Sequence, residues 1–89
     1  MTRTILLALA LLSAPLAAAA AMPVVGDVVG TGATGVKAAL EKAGCPVKSF
    51  EAEGGKVEAI CTETATRKAW DVTIDPKSGA ISDIKKSND

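Results

Sequence analysis

The side chains of this chain that could do chemistry are four carboxylates, Glu51, Glu58, Asp71 and Asp75, and two cysteines, Cys45 and Cys61. Paired carboxylates can divide general acid and general base work between them. Here nothing completes a catalytic set around them. The chain has no histidine and no tyrosine, and Ser49, Ser78, Ser82 and Ser87 have no conventional base near them in sequence. A Ser-His or Cys-His nucleophile is therefore impossible within the chain, and the expectation is a protein that is not an enzyme. With lysines interspersed, the carboxylates read first as the wet side of a one-sided sheet. If that side has a function, binding a partner is the one its chemistry favours, through Glu51, Glu58, Asp71 and Thr73.

Cofactor and metal chemistry find equally little support. Two cysteines and some carboxylates without imidazole do not have the spacing of a zinc site, and the cysteines are not a C-x-x-C redox pair. The glycines of residues 30–35 (G-T-G-A-T-G) do not follow a clear parallel-sheet strand, the context a nucleotide-binding loop needs. No metal, cofactor or nucleic acid is expected.

The elements that would position these residues are a helix and two hairpins. Over residues 31–44, Val36, Ala39, Leu40 and Ala43 fall at i, i+3, i+4 and i+7, with Lys37, Glu41 and Lys42 on the opposite side, which predicts one amphipathic helix. Thr31 or Thr34 is available as N-cap and Gly44 as the left-handed residue after the last turn. Pro46 forbids continuation. Residues 47–53 and 56–64 flank Gly54-Gly55, a dipeptide suited to a two-residue primed turn. That turn pairs Glu53 with Lys56, Ala52 with Val57, Phe50 with Ala59 and Lys48 with Cys61. Phe50, Ala52, Val57, Ala59 and Cys61 then share the core face, and a slip of one residue would put Glu51 and Ser49 there instead.

The second hairpin is the plainest. In residues 69–75, Trp70, Val72 and Ile74 alternate with Asp71, Thr73 and Asp75, and Pro76-Lys77-Ser78-Gly79 is a turn in which Pro76 presets φ and Gly79 takes a positive one. Residues 80–86 return as an edge strand. Ile81 and Ile84 differ in parity, which requires a bulge or a strand end between them, and Lys85 and Lys86 charge the edge. Trp70 is read as core packing, with an exposed hot-spot role as the alternative. The sum is an α+β domain, one helix packed on a three- to four-stranded antiparallel β-meander, over residues 31–86. Residues 22–30 read as a structured arm, either a short strand or an extended lead-in whose valines lie on the core, and residues 87–89 as a frayed tail.

The predicted register bears on the cysteines. In an oxidising compartment a lone pair with 15 residues between them reads as a disulfide, contributing on the order of 3 kcal/mol. Cys45 lies three residues before Lys48, so a straight strand would hold the two Cα atoms roughly 10 Å apart, beyond the usual limit of about 7 Å. Either the Gly44-Pro46 corner turns Cys45 back over the sheet, or the pair are two small buried thiols.

Residues 1–21 read as a secretory signal peptide. Arg3 is the positive n-region, Ile5 to Leu12 the apolar h-region, and the alanines up to Ala21 offer cleavage sites after Ala20 or Ala21. The apolar part is too short to span a bilayer and Pro15 interrupts it. The expected location is periplasmic or secreted. The remaining chain, of about 68 residues, buries only about 60% of its surface and gains from a staple. The whole chain has ten basic and ten acidic residues; without Arg3 the balance is −1, which attracts neither nucleic acid nor an anionic membrane.

Residues 26–31 (G-D-V-V-G-T), 36–44 (V-K-A-A-L-E-K-A-G), 53–59 (E-G-G-K-V-E-A) and, above all, 70–81 (W-D-V-T-I-D-P-K-S-G-A-I) together resemble the PepSY domain family, small exported α+β modules. The departures are the two cysteines and the glycine-rich helix start. The resemblance implies a non-catalytic module, and relatives in metallopeptidase propeptides imply inhibition or regulation of an envelope peptidase. It implies no catalytic or ligand residues. The alternative readings are a small-ligand carrier using the gap between helix and sheet, and a structural envelope protein.

Overall fold

Two glycines with positive φ, Gly54 at 60° and Gly55 at 75°, close the first hairpin as a primed turn, whose twist matches that of its strands. The computed structural model describes residues 22–88; the expected signal peptide and Asp89 lie outside them. The elements are α1 (Ala33–Lys42), β1 (Val47–Glu53), β2 (Lys56–Thr62), β3 (Ala69–Ile74) and β4 (Ile81–Lys86). The four strands form one antiparallel sheet in the order β1-β2-β3-β4, with the helix on one face. The fold is the expected α+β arrangement, with four strands.

The core is built from the alternate residues of the strands and the stripe of the helix. Val36, Leu40, Cys45, Val57, Ala59, Cys61, Val72, Ile74 and Ile81 are buried, and Val47, Phe50, Trp70 and Ile84 pack against them half-buried. Ala52, expected on the core face, is exposed, because it stands near the turn at the outer edge of β1.

Two bulges set the faces. Between Val47 and Ser49 the register of β1 shifts, so Val47 and not Lys48 opposes Cys61. The extra residue, Lys48, lets Val47 and Phe50 lie on the same side although three positions separate them. A second shift opposes Ile74 to Ile81 and Thr73 to Asp83, leaving Ser82 as the extra residue. It brings Ile81 and Ile84 to the core together.

The first bulge joins the helix end in solving the cysteine geometry. Gly44, at φ 89°, sends its N–H to Glu41 O at 3.0 Å while Cys45 N–H reaches Leu40 O at 2.8 Å. This is a Schellman motif, and it folds Cys45 back over the sheet beside Leu40. Pro46 O and Gly44 O then accept from the N–H groups of Thr62 and Thr64 at 3.0 and 2.9 Å. Cys45 and Cys61 form a disulfide across 5.2 Å between Cα atoms, and both are fully buried.

The helix is capped by neither threonine that the sequence offers. Its N-cap is Gly32, extended and without a side-chain cap bond, and Thr34 lies inside the first turn. The entry is fixed by the arm instead. Val29 and Gly30 both donate to Gly79 O, at 2.8 and 3.1 Å, and Gly26 and Ile81 bond through Gly26 N–H to Ile81 O and Ile81 N–H to Asp27 O, both at 2.8 Å. Val28 makes a single antiparallel bridge to Ala80. The arm thus caps the outer edge of β4 at its start. Three of its four valines do not go to the core: Val24, Val25 and Val28 are 59%, 59% and 74% exposed, while Pro23 is buried and Met22 and Val29 pack half-buried against the core as expected. Ser87, at the start of the expected tail, still donates its N–H to Ala69 O at 2.9 Å.

Candidate functional site, the acidic sheet face

Strand alternation sends every second residue to the face away from the helix, and the registers fix the neighbours there. One rung crosses the whole sheet as Glu51, Glu58, Thr73 and Asp83; the next runs Ser49, Ile60, Asp71 and Lys85. Glu53 and Lys56 oppose each other beside the turn. All four residues expected to form a partner surface, Glu51, Glu58, Asp71 and Thr73, therefore lie together on this face. Asp83 and Lys85 complete it. Sequence reasoning missed them because their placement depends on which residue of β4 is the extra one, and the parity of Ile81 and Ile84 shows only that there is one.

The electrostatics of the face are those of crowded carboxylates. Glu51 stands directly opposite Glu58, a like-charge cross-strand pair of the kind that destabilises a sheet. Lys56 Nζ lies 3.8 Å from Glu58 Oε2, a long exposed ion pair worth little. Asp71 Oδ1 is buried and receives no hydrogen bond among the described residues. Burial, then the adjacent Glu58 as a hydrogen-bonding and charged neighbour, push the Asp71 carboxyl above its ordinary value, and Lys85 and Lys56 offset this in part. The face carries Glu51, Glu53, Glu58, Asp71 and Asp83 against Lys56 and Lys85, a net charge of −3. Nine basic and nine acidic side chains are described in all, so the rest of the surface carries +3.

A second feature lies past the end of the helix, an open groove of about 330 Å³ lined by Glu41, Lys42, Gly44, Glu63, Thr64 and Ala65. Its wall is held by Glu63 Oε1, which accepts from Thr66 Oγ1 at 2.7 Å and from Trp70 Nε1 at 3.0 Å. These two bonds, the one from Thr66 first, hold the Glu63 carboxyl below its ordinary range against an opposing effect of burial, and Lys68 adds a lesser pull in the same direction as the bonds. Trp70 is thus half-buried scaffold with its polar end tied down. The groove is not the gap between helix and sheet in which a ligand carrier would be expected; Val36, Leu40 and the disulfide fill that gap.

Gly30, Gly32 and Gly35 stand at the spacing of a dinucleotide-binding fingerprint and open α1. The sheet is antiparallel throughout and the arm before them makes one bridge, so the strand–turn–helix unit that gives the spacing its meaning is missing. No group of three or more metal-ligating side chains occurs among the described residues, and none of their helices is long and apolar enough to cross a membrane. Comparison with known proteins found no matching family model, no matching curated protein and no matching solved structure.

Proposed function

We propose that this chain is a non-catalytic, exported protein-binding module that docks its partner on the acidic sheet face. The observation that carries this is the rung Glu51–Glu58 with Asp71 beside it. Opposed carboxylates and an unsatisfied buried oxygen cost the free sheet stability. A local rule broken without structural gain is the mark of a site that serves something outside the molecule. A buried disulfide accords with an oxidising compartment, and the expected leader supplies the route there. The PepSY-like wording of residues 70–81 makes an envelope peptidase the partner class, with inhibition or regulation as the outcome.

A photo-activatable residue placed at Thr73, and in a second protein at Lys37 on the exposed side of α1, tests the docking face in the exporting cell. Adducts with one protein from position 73 and none from position 37 are expected, and that protein is expected to lose peptidase activity when the chain is added. Equal labelling from both positions, or labelling from 37 alone, would remove the sheet face as the site. The groove past the helix end favours a second reading, a carrier of small ligands. Because Trp70 Nε1 is bonded to Glu63 in the groove wall, such a ligand would change the tryptophan emission on titration, and an unchanged spectrum counts against it.

A further inference from the structure

The two edges of the sheet are guarded very differently. On β4 the arm bonds to Gly79 and Ile81, the bulge at Ser82 twists the strand, and Lys85 and Lys86 follow. These are the devices by which proteins prevent an edge from pairing. β1 is the other terminal strand, and its bulge lies at its beginning, which leaves residues 49–53 in regular register. The primed turn closes on Glu53 and Lys56 as a hydrogen-bonded pair, so Ala52 and Phe50 occupy the alternate positions, where N–H and C=O point away from β2. No other backbone segment bonds to them among the described residues.

Resting on the reading of the chain as a protein-binding module, we infer that the open edge of β1 takes an extended segment of the partner as a fifth, antiparallel strand. That segment carries basic side chains on the acidic face and apolar ones on the helix side. Residues of an added strand opposite Phe50 and Ala52 fall on the helix side, where Phe50 is half-buried and Ala52 leaves an exposed shelf. Residues opposite Ser49, Glu51 and Glu53 fall on the acidic face. There a lysine or arginine stands about 5 Å from Glu51 or Glu53 between Cβ atoms and reaches Glu58 along the diagonal. Main-chain bonds supply the affinity and the alternating side chains the selectivity, as in other strand additions.

Charge decides against a second copy of this chain as the occupant. Its own β1 would bring Glu51 and Glu53 to a face that already carries them, and its β4 is covered at Ile81 and sets Asp83 beside Lys85.

The probe is a capped eight-residue peptide of alternating lysine and valine, added to the intact chain while backbone amide exchange is followed residue by residue. Protection of the Phe50 and Ala52 amides is expected. Binding is expected to fall at least tenfold for a block peptide of the same composition and for a peptide N-methylated on its valines, whose amides face β1, but not for one N-methylated on its lysines. The double variant E51K/E53K should reject the lysine peptide and accept its glutamate–valine counterpart, a swap that a merely misfolded variant would not show. Equal binding of the block peptide, or protection at residues 83–86 in place of 50 and 52, overturns the inference. So does protection of Phe50 and Ala52 without peptide in a species whose size grows with concentration, which would make a second copy the occupant. Cross-linking from Thr73 that persists alongside any of these results would leave the docking face standing and remove only the strand addition.

Discussion

An ionised Asp71 works against the folded sheet. Its folded-state pKa is raised by burial and by Glu58, so the folded protein holds this proton more tightly than the unfolded chain does. The resulting stability is fully present below the ordinary carboxylate range and is lost as pH rises through the raised value. Asp71→Asn should therefore stabilise the protein at neutral pH, on the order of 0.5 kcal/mol for relief of a like-charge neighbour, and make no difference in strong acid. Glu63 has the opposite sign. Its pKa is lowered by the bonds from Thr66 and Trp70, so its contribution is present above the ordinary range and disappears as pH falls through the lowered value. Glu63→Gln should lower the melting temperature at neutral pH and match the parent protein in acid. Thermal unfolding of the three proteins across the acid range checks both signs. Curves that shift in parallel at every pH would show that neither carboxyl is linked to folding.

Among the elements, the corner between α1 and β1 has the most at stake. The disulfide closes a loop of 16 residues and ties the helix end to the central strand. On loop length alone, Cys45→Ala with Cys61→Ala should cost about 3 kcal/mol, which in a domain of this size lowers the melting point by well over 10 °C. A loss under about 1 kcal/mol would mean that the Schellman corner holds without the bond. The sequence makes the helix stripe, the Gly54-Gly55 turn and both hairpins legible, because each rests on local periodicity or on a residue with special torsions. It makes the face residues Glu51, Glu58, Asp71 and Thr73 legible for the same reason. The bulge at Lys48 was readable in principle, since Val47 and Phe50 differ in parity just as Ile81 and Ile84 do. The arm was not readable. Where Val24, Val25 and Val28 point depends on a bond between segments some 50 residues apart, and no local period records that. The same contact gives an element-scale test at Gly79, which combines φ 77° with a Cβ position only 3.0 Å from Gly30 Cα. Gly79→Ala should cost about 1–3 kcal/mol and expose the Val29 and Gly30 amides to exchange, whereas Gly32→Ala, at a negative φ and with open space around it, should leave those amides protected.

For the whole molecule, net charge conceals what matters. The described surface sums to zero, yet −3 of it lies on one sheet face and +3 on the rest. A protein so divided approaches a cationic partner face-first, because the sheet face is net negative while the rest of the surface is net positive. Such steering works through the encounter rate and is screened beyond roughly 10 Å at about 0.1 M salt. The main-chain bonds and apolar contacts of an added strand are screened far less, and they govern how long the complex lasts. Association with the lysine–valine peptide should therefore slow severalfold from low to physiological salt while dissociation changes little. Lys37→Glu, which leaves the sheet face untouched but cancels part of the positive side, should alter the association rate modestly and the dissociation rate not at all. Stopped-flow measurement of both constants across a salt series checks this. A salt effect confined to dissociation would mean that the carboxylates act only as short-range contacts, and the division of charge would then have no part in how the partner is found.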